Sequence, residues 1–382
     1  MGPISVTFDT QTLSEAGVRL DPLRILAIDA GAGTQDILVY ESDRPIENCV
    51  KLVLPAQTQV IAGHIARHTS ARRPLFLTGS VMGGGASSAA IEAHLRAGLT
   101  VAATEDAART IHNDLERVAA QGIQICREPK PGEAIVRLRD VDLDALSVAL
   151  GAFGVELPAI FAIAVQDHGY LPGAGGREFR YEFLQGLLRD GGDLRAMIYR
   201  NPPEYMLRML AVARDLPGAL LMDTGAAAVL GILGDPLVAE RAKRGAILVN
   251  IGNMHTFGVA LRGTRVYALF EHHTGGITPA LLDQLVSSLR DGTLTHERVV
   301  ALGGHGAAFD PAWRAAAPFD FVAITGPNRE VAASLGYHRG VPHGDMMLAG
   351  SFGLVEAAIS WLADHAYRLP VSSIHRAYPL PG

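Results

Sequence analysis

Two stretches of this chain repeat one design, and that repeat narrows the possible folds more than any other feature. Residues 25–40 read ILAIDAGAGTQDILVY and residues 247–261 read ILVNIGNMHTFGVAL. Each is an apolar strand ending in a polar residue, followed by a glycine turn, a threonine and a second apolar strand. Laying Asp29 on Asn250 sets the copies 221 positions apart (250 − 29). The echo reads either as a chance likeness of two hairpins or, more sharply, as a duplicated domain with both glycine turns facing one cleft.

Further strand-like runs occur at 50–54, 74–78, 134–138, 159–165, 265–270, 298–302 and 319–324. Helix signals alternate with them. Thr104 reads as the N-cap of a helix with Glu105 and Asp106 in its first turn and its end at Gly122. Asn201-Pro202 reads as the N-cap and first residue of another. Thr278-Pro279 opens a third, with apolar residues at Leu281, Leu282, Leu285, Val286 and Leu289 and a stop at Gly292. Strands interleaved with helices give the α/β class with mixed sheets.

The 382 residues are 48% apolar and 19% charged, enough for about two domains with large cores. A net charge of −6, with no block of five like charges, gives no footprint for nucleic acid or an anionic membrane. No apolar run reaches the ~18 residues of a bilayer span, and Met1–Ala16 lacks the basic-then-apolar order of a secretory leader. The expectation is a cytoplasmic protein. Its two cysteines, Cys49 and Cys126, cannot supply an iron–sulfur cluster, a four-cysteine zinc site or a disulfide framework. Glycine, 42 of 382 residues or about 11% against a usual ~7%, indicates either many tight turns or loops whose backbone approaches something closely.

The turn of the first hairpin can aim backbone N–H groups of Gly31 to Gln35, with Gly33 and Thr34 between them, into one concavity suited to phosphate. Asp29, at the strand end, is placed to hold magnesium through water. The chain has no P-loop, and Gly31-Ala32-Gly33 lacks the third glycine and following helix of a dinucleotide fingerprint. This hairpin resembles the phosphate-1 motif of the actin-like ATPase superfamily, which includes Hsp70 chaperones and sugar kinases. Residues 250–256, NIGNMHT, resemble its phosphate-2 motif. MDTGAAAVLGILG (222–234) is similar to the helix before phosphate 2, AITGPNREVAASLG (323–336) to the adenosine loop, and LAGSFGLVEAAI (348–359) to the terminal helix. The ordered set spans residues 24 to about 365.

The resemblance implies two ribonuclease H-like domains around a nucleotide cleft that binds ATP and magnesium. Domain I would run over 24–236 with an insertion, plus a C-terminal helix at 346–368; domain II over 245–345; residues 1–23 would form an N-terminal extension. The nucleotide contacts it implies are Asp29, Gly31, Gly33, Thr34 and Gln35; Asn250, Gly252, Asn253, His255 and Thr256; and Gly326, Pro327, Asn328 and Arg329. Within the superfamily, NIGNMHT, EHHTGG and TGPNR look like a prokaryotic family labelled as pyruvate formate-lyase-activating proteins. The cysteine count argues against the radical chemistry that label suggests.

Hsp70-like members carry an aspartate where this chain has Asn250, and a threonine where it has His255. An amide cannot hold a metal or orient water as a carboxylate does, so rapid hydrolysis by the Hsp70 route is in doubt. Asp167, directly after a buried strand, is the candidate general base, with His168 assisting. Alternatively, Asp167 is a turn residue with a histidine packed over it. His255, His272 and His273, together with Asp167 and His168 across the cleft, are candidate transition-metal ligands, although their spacing is not a tight ligand motif. His64 and His68 have helical ligand spacing but no acidic partner nearby, and read as an exposed face. The loop Thr78–Gly85 is a candidate anion contact at a helix start. Gly303–Gly306 is the second choice for the adenosine loop.

Three functions follow. The first is an ATP-dependent phosphotransferase acting on a small molecule. The second is a nucleotide-dependent activator of a partner enzyme, and the third a metal-dependent transferase on the same fold.

Overall fold

Alternating apolar runs pair into three sheets. The computed structural model describes residues 22–170, 176–316 and 319–365, so most of the 1–23 extension, Pro172–Gly175 and the end of the terminal segment lie outside the described residues. The strands β1 (Arg24–Ala30), β2 (Thr34–Glu41) and β3 (Val50–Pro55) are followed by β4 (Leu75–Gly79), β5 (Val101–Ala103), β6 (Ile123–Ile125) and β7 (Ala134–Leu138). Then come β8 (Ile160–Val165), β9 (Ile198–Tyr199) and β10 (Leu220–Asp223). The last group is β11 (Ala246–Ile251), β12 (His255–Arg262), β13 (Arg265–His273), β14 (Gly306–Phe309), β15 (Phe321–Thr325) and β16 (His338–Arg339).

The first sheet has the order β3-β2-β1-β8-β10-β9 and the second β14-β13-β12-β11-β15-β16. Both contain three antiparallel strands followed by two parallel ones, β3-β2-β1 then β8 and β10, and β13-β12-β11 then β15 and β16, with β9 and β14 as additional antiparallel edge strands. That is the ribonuclease H-like order, present twice, and the pair forms an actin-like architecture. The 221-residue offset holds pair by pair. Asp29 faces Asp36 as Asn250 faces Phe257, and Ala30 faces Gln35 as Ile251 faces Thr256.

Between β3 and β8 the first lobe carries an inserted, wholly parallel sheet, β6-β5-β4-β7, with its own core around Ile65, Leu75, Leu77, Val101 and Val136. The two main sheets share a different core, in which Ala164 and Met222 of the first join Leu248 and Val259 of the second through Phe352. Phe352 lies on the terminal helix Ala349–His365, which crosses the helix Thr224–Gly231. The crossing is backbone on backbone: a Cβ at Gly231 would overlap the Ala349 carbonyl, and one at Gly353 the Ala227 carbonyl. Only glycine permits that approach.

Three local expectations are corrected. Residues 298–302 are not a strand. Thr295 accepts a hydrogen bond from Arg298 N and caps the helix His296–Ala301, so the cap prevails over the β-branched pair Val299-Val300. The helix expected over 104–122 is two, Glu105–Arg109 and Leu115–Ala120, with Asp114 capping the second through Glu116 N. Residues 110–114 between them border the cleft. The helix expected at Asn201-Pro202 begins at Leu207 instead. Among the described residues no helix is long and apolar enough to cross a membrane.

Candidate functional site

Parallel strands end where the chain must leave the sheet, so polar residues just past β1, β8, β10 and β11 converge on one edge. Between the lobes lies a cleft of about 1040 Å³ bordered by Asp29, Gly31, Thr34 and Asp36 on one side and Asn250, Gly252, Asn253 and His255 on the other. The hairpin turns share a shape. Gly31 N donates to Thr34 O (3.0 Å), and Gly252 N donates to His255 O (3.0 Å). Their tips meet, since a Cβ on Gly33 would lie 2.7 Å from Asn253 Nδ2. A third wall is Gly326-Pro327, whose loop is fixed to the second hairpin by Asn328 Nδ2 donating to Gly252 O (2.9 Å) and Asn328 N to Ile251 O (3.1 Å). Gly326 has φ +98°, and a Cβ there would meet Asn250 Oδ1 at 2.6 Å. Arg329 braces this loop, donating to Gly326 O (3.4 Å) and lying against Met346 Sδ (3.3 Å).

The acid pair on the first hairpin is electrostatically frustrated. Asp29 accepts from Thr224 Oγ1 at 2.5 Å, yet burial and the neighbouring Asp223 push its carboxyl up to about 7. Burial and Asp29 push Asp36 up to about 8, and Asp36 Oδ1 has no hydrogen-bond partner among the described residues. A group raised this far is protonated when folded and ionised when unfolded between about pH 4 and 8, so it removes stability as pH rises through that window. In chelator, without nucleotide, Asp36→Asn is therefore expected to stabilise the protein by on the order of 3 kcal/mol at pH 8, with the gain vanishing toward pH 4. Urea denaturation at several pH values measures this; a gain independent of pH contradicts the assignment.

Two residues expected at the nucleotide lie elsewhere. Gln35 is buried and donates to Pro55 O (3.0 Å), and Thr256 is buried with its hydroxyl against Thr274 Oγ1 (3.0 Å). They occupy equivalent positions in the two hairpins, and strand alternation turns both away from the cleft. Asp167 is also reassigned. Its Oδ2 accepts from Arg208 N (2.9 Å) and Met209 N (3.0 Å), and its Oδ1 from Gly169 N (2.9 Å). It caps the helix Leu207–Asp215 from a distance, which explains why that helix starts without a local cap. Burial raises its carboxyl against those three donors, and the geometry is that of an anchor rather than a base.

His272 is corrected as a metal candidate. It is buried, and its two ring nitrogens engage His273 O (2.9 Å) and Leu302 O (3.0 Å). The same alternation along β13 brings Glu271, not His272, toward the other lobe. Glu271 is fully buried, meets His168 Nε2 at 3.4 Å, and accepts from Gln166 Nε2 (2.9 Å) and Arg180 Nε (2.8 Å). Arg180, itself buried, also donates to Asp167 O (2.7 Å) and to Asp223 Oδ2 (3.3 Å). Burial opposes the charge on Glu271, but Arg180, His168 and His255 outweigh it and hold the carboxyl well below its usual range. His255 and His305 are driven down by burial, to about 4 and about 3. Of these, Arg180 and Glu271 fall outside the site residues expected from the sequence, and His305 falls in the loop Gly303–Gly306, there the second choice for the adenosine contact. EHHTGG carried the period-2 signal for Glu271, whereas Arg180 has no local motif.

The loop after β4 borders the cleft at Val81–Gly85, but two of its amides are already used, Met82 N by Thr110 Oγ1 (3.1 Å) and Gly83 N by Asp140 Oδ1 (3.1 Å). Asp140 also takes a bidentate pair from Arg208, at 2.7 Å and 2.7 Å. His64 and His68 lie on the helix Gln57–Ser70, away from the cleft lining.

The profile of one family, described as "Putative pyruvate format-lyase activating enzyme (DUF1786)", matches residues 82–331. The chain belongs to that family. Its match covers β5, β6 and β7 of the inserted sheet and β8–β15, including the Gly326–Asn328 loop. Among solved structures the family member is similar to the ethanolamine utilization protein EutJ from Carboxydothermus hydrogenoformans, at 12% identity over 91% of this chain and 97% of that one, TM-score 0.28. It is also similar to the PilM-PilN type IV pilus biogenesis complex (11% identity, 89% and 98%, TM-score 0.36) and to a ROK family transcriptional regulator (10%, 89% and 80%, TM-score 0.29). These overlaps are loose, and the strand order above is what defines the fold. No curated protein matches the chain.

Proposed function

We propose that this family member binds Mg-ATP between its lobes and passes a phosphoryl group to a small molecule held against the inserted sheet. The observation that carries the reading is the meeting of two equivalent glycine turns, Gly33 against Asn253, at the edge where both sheets end. The site suits the ligand: the under-compensated pair Asp29 and Asp36 calls for a cation, and Gly326-Pro327 offers a side-chain-free wall for a flat base. Asp29 and Asp36 would hold magnesium; the amides of the two turns would bind phosphates. Bound Mg-ATP supplies the transferable group, while the protein supplies position and a closing cleft.

Room for an acceptor supports the transfer. The cleft of about 1040 Å³ slightly exceeds the roughly 300–1,000 Å³ usual for a single ligand, and Gly83, Arg109, His112 and Arg117 border it. A cytoplasmic location belongs to the same proposal, as that is where ATP is abundant. One observation favours a second reading. With an amide at Asn250 and Asp167 occupied as a helix anchor, slow turnover suits a nucleotide-gated activator of a partner enzyme.

Isothermal titration with Mg-ATP tests the binding. The expected result is saturable binding that Asp29→Ala weakens at least ~10-fold, equivalent to about 1.4 kcal/mol. Absence of heat at millimolar ligand overturns the proposal. An ATP consumption rate that rises with a panel of small hydroxylated metabolites supports transfer; a rate indifferent to all of them favours the activator.

A further inference from the structure

Three imidazoles and one carboxylate from both lobes converge on one point beside the cleft. His168 follows β8 of the first lobe; His255 opens β12, Glu271 lies on β13 and His305 precedes β14 in the second. Every pair of their candidate ligand atoms lies within 4.8 Å. The ring centroids of His168, His255 and His305 form an equilateral triangle with sides of 5.0, 5.0 and 5.0 Å. Three imidazoles on one metal, with nitrogen at 2.0–2.1 Å, have centroids roughly 5.2 Å apart in a tetrahedron and roughly 4.5 Å apart on an octahedral face. The observed spacing falls between the two.

We infer that His168, His255, His305 and Glu271 form a site for a divalent first-row transition metal that bridges the lobes. The donor set excludes the hard alkaline-earth ions, which take oxygen, and suits zinc, iron, cobalt or nickel. The surroundings are those of a supported site. Arg180 fixes Oε2 of Glu271 at 2.8 Å and Gln166 approaches its Oε1 at 2.9 Å, orienting the carboxylate from outside. His273 Nδ1 stands 3.3 Å from His305 Nε2. The His255 ring makes no hydrogen bond among the described residues, although it is half-buried and packed among His168, His273 and His305. The three histidines border the cleft and Glu271 lies behind them, so a remaining coordination position faces the cleft. An anionic or hydroxyl-bearing cleft ligand, or water, would occupy it. The assignment rests on the four side chains alone and not on nucleotide binding.

The test uses the full chain, freed of metal with chelator and titrated with Co(II) alone, without ATP or magnesium. The expected result is about one equivalent bound with the intense visible bands of four- or five-coordinate cobalt, displaced by Zn(II). His305→Ala and His168→Ala are each expected to weaken Co(II) binding by at least ~100-fold, the upper end of what loss of a supporting partner alone costs. Far-UV circular dichroism checks that they fold, and partly exposed His168 serves if His305→Ala does not. His64→Ala/His68→Ala is expected to bind as the unaltered chain does. No stoichiometric Co(II) binding, binding unchanged in His168→Ala or His305→Ala, or loss in the His64/His68 variant each overturns the assignment. None of these outcomes bears on ATP, which the calorimetry addresses separately.

Discussion

Replacing Arg180 by methionine is expected to lower the stability of the protein by about 3–5 kcal/mol, the cost of removing one partner from a buried ionic network. Arg180 is 7% exposed and Glu271 is fully buried. The guanidinium joins Asp223 of the first lobe to Glu271 of the second, with its Nη1 also donating to Asp167 O. Methionine fills a similar volume and leaves two carboxylates in a low-dielectric interior without their counter-charge. Urea denaturation measures the loss. Neutralising the partners as well, in Arg180→Met/Glu271→Gln/Asp223→Asn, is expected to recover most of it, because the introduced amide keeps an oxygen for the cap on Gly225 N that Asp223 makes at 2.9 Å. If the single change costs less than about 1 kcal/mol, the network is not what joins the lobes here.

Gly350→Ala is expected to reduce Mg-ATP affinity by roughly 100-fold, comparable with the loss that a displacement of about 1 Å causes in a positioned group. Gly350 lies in the first turn of the terminal helix, and a Cβ there would overlap Asp29 Oδ2 and stand 2.6 Å from Asp29 Cγ. The helix cannot retreat, because its next turn is already in backbone contact with Thr224–Gly231 through Gly353. The carboxylate must therefore swing away from Thr224 Oγ1 and from its place in the cleft. A thermodynamic cycle isolates this cause. In an Asp29→Ala background most of the obstructed atoms are gone, so the stability cost of Gly350→Ala is expected to fall below about 1 kcal/mol from roughly 2 kcal/mol in the unaltered chain. Equal costs in both backgrounds would mean that the alanine acts somewhere other than on Asp29.

The duplicated hairpin was legible because a two-residue strand period and a glycine turn leave a local trace, and the structure carries that trace through matched registers in both sheets. What that trace leaves to be worked out is the face each residue takes. Laying Asp29 on Asn250 pairs Thr34 with His255 and Gln35 with Thr256, so aligning the two threonines by eye assigns Thr256 to the wrong side. The same period along EHHTGG selects Glu271 and His273 over His272. Non-local partners were not legible. Asp167 becomes a cap only because the helix Leu207–Asp215, forty residues later, presents two bare amides to it. Arg180 matters through carboxylates 43 and 91 positions away. The 298–302 segment shows local signals in conflict, where a capping threonine outweighs a β-branched pair.

The matched registers also fix a direction. Positions 29 and 36 of the first hairpin are both aspartate, while their equivalents in the second are Asn250 and Phe257, and position 34 becomes His255. A scaffold with near two-fold symmetry therefore has one lip that is acidic and another that carries amide and imidazole. A ligand spanning the gap between the two turns meets different chemistry at its two ends, so the cleft can tell head from tail although the two hairpin backbones that frame that gap match.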